Sequence, residues 1–108
     1  MFNIFKSAPK NYNDLDGKTF KAEFEKAANA ELLDVRTAGE FASGTIPGAK
    51  NLDLLSGQFQ AELGNLDKDK EYFVFCRSGN RSGSACQMLS EKGIKCHNLA
   101  GGVGAWPS

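Results

Sequence analysis

Glu71-Tyr72-Phe73-Val74-Phe75 is an unbroken aromatic and β-branched run that passes without a spacer into Cys76-Arg77-Ser78-Gly79-Asn80-Arg81-Ser82. A strand without polar alternation is buried on both faces, as in the middle of a parallel sheet. The chain must therefore supply helices to both sides of that strand. It must also turn sharply after Cys76, because residues 82–92 have helical spacing, with Ala85, Met88 and Leu89 on one face and Gly93 as the stop.

The other segments fit this demand. In residues 19–30, Phe20, Phe24 and Ala27 or Ala28 recur at helical spacing while Lys21, Glu23 and Lys26 fall elsewhere, which predicts a core-facing helix. Residues 31–35 read as a short strand. Thr37-Ala38-Gly39-Glu40 matches a capping box and predicts a helix of one to two turns, stopped at Gly44. Pro47-Gly48 is turn chemistry, residues 52–54 read as a strand, and Phe59 with Leu63 place a helix over 56–63. Asp67-Lys68-Asp69-Lys70 is a solvated turn; residues 94–99 form a last strand, followed by a glycine-rich loop at 100–104. Residues 1–13 read as a loosely ordered lead-in, with a short strand near Tyr12. Strand and helix alternate, so the expected fold is α/β: a mostly parallel central sheet with right-handed crossovers and helices on both faces.

A length of 108 residues predicts one domain over residues 1–108. Thirteen Lys and Arg balance thirteen Asp and Glu, which argues against a general nucleic-acid or anionic-membrane binder. Apolar runs are too short for a membrane span, and Met1-Phe2-Asn3-Ile4-Phe5-Lys6 lacks the order of a secretory signal. Three cysteines with no CxxC spacing disfavour a disulfide framework or zinc knuckle. Free thiols in a reducing, cytoplasmic setting are expected instead.

Cys76 stands at the carboxyl end of the central strand, where ligands of open parallel sheets bind. A tight turn through Gly79 and Asn80, both tolerant of positive φ, can direct successive N–H groups inward, and the following helix adds its partial positive charge. A sulfur anion at the centre of such a ring is favoured over the thiol, so Cys76 is expected to be a reactive thiolate near neutral pH. Arg77 and Arg81, with no acid in the loop, suit an anionic substrate. This reading requires inward-facing amides and a sulfur that a donor can reach.

In Leu33-Asp34-Val35-Arg36 with Glu40-Phe41, Gly44-Thr45-Ile46-Pro47-Gly48-Ala49, Cys76 to Ser82, and Leu99-Ala100-Gly101-Gly102 with Trp106, the chain resembles the rhodanese family of sulfurtransferases. The resemblance implies a three-layer domain with about five strands. It also implies that Cys76 carries a persulfide while the amides of Arg77, Ser78, Gly79, Asn80, Arg81 and Ser82 cradle its terminal sulfur. The implied partners are a thiosulfate-like or persulfide donor and a thiol, cyanide or protein acceptor; no cofactor or metal is needed, and a monomer is expected. Thr45 departs from the His often found there, at a structural position.

Three alternatives remain open at this stage. A non-catalytic docking or sensing module shares the fold, though such modules commonly lack the loop cysteine. A cysteine phosphatase needs five residues between Cys and Arg; here Ser82 takes that place and Arg81 falls one early, so the loop encloses less space. Arsenate reduction is a weaker form of the same reading. Asp34 and Arg36 are expected to tie the strand end to nearby loops, with a pocket-rim role as the less favoured reading. Gly101 and Gly102 let backbone pass close to the Cys76 loop and are further rim candidates. Cys86 and Cys96 read as packing residues, His97 as a partly exposed strand residue facing away from Cys96, and Trp106 as a cover for the sheet edge.

Overall fold

The computed structural model describes residues 10–108. Residues 1–9 of the expected lead-in lie outside that range. The elements, in order, are β1 (Asn13–Leu15), α1 (Gly17–Lys26), β2 (Ala30–Asp34), α2 (Ala38–Ala42), β3 (Lys50–Asn51), α3 (Gln58–Glu62), β4 (Glu71–Phe75), α4 (Asn80–Glu91) and β5 (Cys96–Leu99). Single 3-10 turns follow α3 and β5. All strand pairs are parallel, in the order β1-β5-β4-β2-β3. The five carboxyl ends therefore share one edge of the sheet, and the segment after β4 emerges at its centre.

The two-sided burial expected of Glu71–Phe75 is realised residue by residue. Tyr72 and Val74 pack with Ala85, Cys86 and Leu89 of α4 and Phe59 of α3, whereas Phe73 and Phe75 pack with Phe20 of α1, Leu32 and Leu99. Each such side chain, withdrawn from water, contributes roughly 1.5–3 kcal/mol. Cys76 continues the alternation and points into the α4 side.

Several boundaries differ from expectation for local reasons. The Asp16 side chain accepts from the Thr19 amide at 2.8 Å, so α1 begins at Gly17. It ends at Lys26, and by Asn29 the carbonyl is already taken by the Glu71 amide beside β4. β3 comprises Lys50 and Asn51 rather than residues 52–54. The Leu52 amide still reaches the Asp34 carbonyl, but the Asp53 carboxylate then collects the amides of Leu55 and Ser56 and bends the chain toward α3. The expected Thr37–Glu40 capping box is present in both directions. Trp106 covers α1 rather than the sheet edge, its ring set edge-on to Phe20 and Phe24 at 6.1 and 6.4 Å.

Gly17 marks a contact with no sequence signal. A Cβ there would stand 1.7 Å from the Ala105 carbonyl oxygen. Gly17→Ala must push the 3-10 turn at Val103–Ala105 off α1, at a cost of about 1–3 kcal/mol. A urea unfolding curve checks this; a midpoint equal to that of the unsubstituted protein would contradict it.

Candidate active site

The loop after β4 closes on its own first side chain. The Gly79 amide donates to Cys76 Sγ at 3.0 Å and the Ser82 hydroxyl at 3.3 Å. The backbone N–H groups of Ser82 and Ser78 add to them in favouring the anion on this sulfur. Burial pushes the Cys76 thiol upward, but these donors outweigh it, and the net displacement is below the ordinary cysteine value. Of the inward-facing amides that the sequence reading requires, that of Gly79 meets the sulfur at hydrogen-bond distance. Access is another matter: Cys76 is 0% exposed, its sulfur lying beneath the loop.

Gly79 alone supplies the left-handed corner, at φ +102°; Asn80 already belongs to α4, which starts two residues earlier than its spacing suggested. Arg81 and Ser82 consequently sit in the first helical turn, and the Ser82 hydroxyl turns back to the sulfur. The segment after β5 braces the outside. A Cβ on Gly102 would lie 1.9 Å from the Arg77 carbonyl oxygen and 2.6 Å from the Ser78 nitrogen, so only hydrogen fits against that peptide. The Val103 amide donates to the Cys76 carbonyl at 2.8 Å. Of the two expected glycines, Gly102 makes the close approach, whereas Gly101 is exposed.

The family model for the rhodanese-like domain matches residues 16–108. This chain belongs to the rhodanese-like family. YtwF of Bacillus subtilis is 39% identical to it over 93 residues, covering 86% of this chain and 88% of the relative. A protein named sulfurtransferase in Allochromatium vinosum is 34% identical over 95 residues, with 87% of each chain covered. The crystal structure of a rhodanese-like domain protein from Staphylococcus aureus superposes with a TM-score of 0.76 at 28% identity, over 89% of this chain and 92% of that one.

Within this rhodanese-like domain the two loop arginines part company. Arg77 is exposed. Arg81 is gripped by Glu40 of α2, with Nη1–Oε1 at 2.8 Å and Nη2–Oε2 at 3.2 Å. Its positive charge is thus matched by an acid from outside the loop, which sequence reasoning missed because the capping box already accounted for Glu40. Asp34 and Arg36 are also internal. The Asp34 carboxylate takes Arg36 Nε at 3.0 and 3.1 Å, Nη2 at 2.8 Å, the Arg36 amide at 3.0 Å and the Thr45 hydroxyl at 2.9 Å. Arg36 Nη2 also donates to the Gly44 carbonyl at 2.6 Å. Asp34 is 0% and Arg36 5% exposed, so they tie loops together and offer almost nothing to a rim. Thr45 is one of those ties.

The other thiols are buried, and the Cys96 thiol donates to the Cys86 carbonyl at 3.4 Å. Burial, reinforced by Cys96, holds the Cys86 thiol far above its ordinary range. His97 is buried rather than partly exposed. Its ring lies 4.6 Å from that of Phe73, with Nε2 2.5 Å from Glu71 Oε2 and Nδ1 3.1 Å from the side-chain Nδ2 of Asn13. Among the described residues no three His, Cys, Asp or Glu side chains are grouped to hold a metal, and no helix is long and apolar enough to cross a membrane.

Hydrogen bonds from Arg81, then from the Thr37 amide, hold the Glu40 carboxyl down to about 2. A depressed carboxyl stabilises the fold above its unfolded value, about 4.3, and loses that contribution as pH falls toward the folded value. Glu40→Gln keeps an acceptor for the cap but removes the charge. Its unfolding midpoint should lie below that of the unsubstituted protein at pH 7, and the gap should close between about pH 4.5 and 2. A pH-independent gap would show that the pair is not its source.

Proposed function

We propose that this protein is a sulfurtransferase that carries a sulfane sulfur on Cys76. The observation that carries the reading is the convergence of the Gly79 amide and the Ser82 hydroxyl on one sulfur, at 3.0 and 3.3 Å. Such a ring favours an anion of single-atom size. Membership of the rhodanese-like family, with a relative named sulfurtransferase, supports the same chemistry.

In the first step the Cys76 thiolate attacks the outer sulfur of a donor such as thiosulfate. The S–S bond of the donor breaks, sulfite leaves with the bonding pair, and Cys76 becomes a persulfide anion. In the second step a nucleophilic acceptor (cyanide, a thiol or a protein cysteine) attacks the terminal sulfur. The bond between that sulfur and Cys76 Sγ breaks, and its electron pair stays on Sγ to restore the Cys76 thiolate. The preset donors stabilise the charge on sulfur in both resting forms without reorganising. Because Cys76 is 0% exposed, turnover requires the exposed loop rim at Arg77 and Ser78 to move aside for each reactant. Arg77, with a free approach to solvent, attracts the anionic donor; Arg81 serves the loop through Glu40.

A phosphatase reading is less favoured by the same geometry. Its loop would need one more residue and an arginine facing the bound oxyanion, whereas here Ser82 occupies that place and Arg81 is held by Glu40.

Thiosulfate treatment should add one sulfur atom to the intact mass, removable by dithiothreitol, and Cys76→Ser should abolish both this adduct and thiosulfate-to-cyanide transfer. Transfer persisting in Cys76→Ser would refute the assignment. An unmodified mass in the native protein, with no turnover, would favour a docking module, and Cys76-dependent hydrolysis of p-nitrophenyl phosphate would favour a phosphatase. Arg77→Ala should raise the KM for thiosulfate about threefold to tenfold with little change in kcat, the loss of one exposed charge contact. An unchanged KM would remove Arg77 from donor capture.

A further inference from the structure

Asn98 is a polar residue on a strand whose other members are Cys96, His97 and Leu99, and it is 5% exposed. Its side-chain amino group donates twice: to Asp14 Oδ1 of β1 at 2.9 Å and to the Gly79 carbonyl at 3.1 Å. Its own oxygen, also buried, has no partner. Reversing the amide would satisfy neither neighbour and would set oxygen against a carboxylate and a carbonyl. The orientation is therefore dictated by the two acceptors. Gly79 is the residue whose N–H meets Cys76 Sγ, and it is also the left-handed corner of the loop. A glycine in that conformation has no side chain to keep its flanking peptides from rotating. The carbonyl of Gly79 accepts from the Gly83 amide at 3.0 Å, and Asn98 adds a second, sideways restraint.

We propose that Asn98 is a positioning residue for the Cys76 loop: braced by Asp14, it pins the Gly79 carbonyl and so keeps the Gly79 N–H aimed at the sulfur. The contact comes from the side of a cleft of about 800 Å³ lined by Asp14, Gly79, Asn80 and Asn98, among others, but not by Cys76, Arg77 or Arg81. Asn98 thus acts through Gly79. The inference rests on Cys76 being the working thiol, but it concerns how that thiol is kept ionised rather than what it does. Of the other charged groups around the loop, Arg81 pairs with Glu40 and Arg36 with Asp34, while Arg77 is exposed. Asp14 is shared with Lys10, and the Tyr12 hydroxyl lies on the same side of α4. Substituting Asn98 removes no charge.

The test is the thiolate absorbance of the full chain near 240 nm against pH, with the Cys76→Ser protein subtracted so that only this sulfur is read. Asn98→Ala should raise the Cys76 midpoint by about half to one pH unit, a threefold to tenfold loss of thiolate below the midpoint. Asp14→Ala, at an exposed position, should shift it the same way by less, and should do so even if Asn98→Ala fails to fold. A merely structural role would lower the melting temperature while leaving the midpoint in place. Midpoints unchanged in the folded variants would overturn the proposal. A native protein with no Cys76-dependent titration near neutral pH would instead count against the proposed function itself.

Discussion

A buried sulfur can hold negative charge only where dipoles point at it, and the donors that meet Cys76, the Gly79 amide and the Ser82 hydroxyl, both belong to the six-residue turn that follows it. That turn does not stand unaided. It is enclosed between the first turn of α4 and the segment leaving β5, where Gly102 meets the Arg77–Ser78 peptide at a distance no side chain permits. The Val103 amide fastens the Cys76 carbonyl, and Asn98 fastens that of Gly79. Two adjacent strands of a parallel sheet end at the same level, so their following loops lie side by side. The fold's contribution to the site is this forced adjacency.

Charge is handled in closed pairs around the same edge. Asp34 and Arg36 neutralise each other in the interior, with Thr45 and the Gly44 carbonyl taking up remaining capacity. An ion pair so withdrawn from water stabilises little in net terms, yet losing either member would strand the other. Its evident effect is geometric, holding the 44–45 bend against the end of β2. Glu40 and Arg81 do the equivalent between α2 and α4, in a more accessible setting. Arg77 is left as the exposed cation of the loop.

Much of this was legible from the chain itself. The aromatic run of β4, the Thr37–Glu40 cap and the helix after the loop are local patterns, set by period and by side chains bonding within a turn. The resemblance of four ordered motifs to the rhodanese family reached the fold and the placement of Cys76. What escaped reading was long-range. Glu40 and Arg81 are 41 residues apart, Asn98 and Asp14 84 apart, and Gly17 gives no hint of Ala105. His97 read as a partly exposed strand residue because a lone histidine usually is, yet Glu71 and Phe73 accommodate it inside. β3 was misplaced because its two residues are polar and held by backbone pairing and by the Asn51 side chain on the Asp34 and Arg36 carbonyls, while the apolar Leu52 and Leu54 beside them carry the pattern.

The three cysteines share one apolar cluster but differ in what surrounds their sulfur. Cys86 has no ring of donors and burial suppresses its ionisation, while the Cys96 thiol is turned to the Cys86 carbonyl. Under the proposed reaction Cys86 is then no internal thief of sulfur from Cys76, nor can it close a disulfide with it through an anionic attack. A charged carrier of this design would keep its cargo until an outside molecule came to collect it, so its storage time would be governed by encounter rather than by self-discharge.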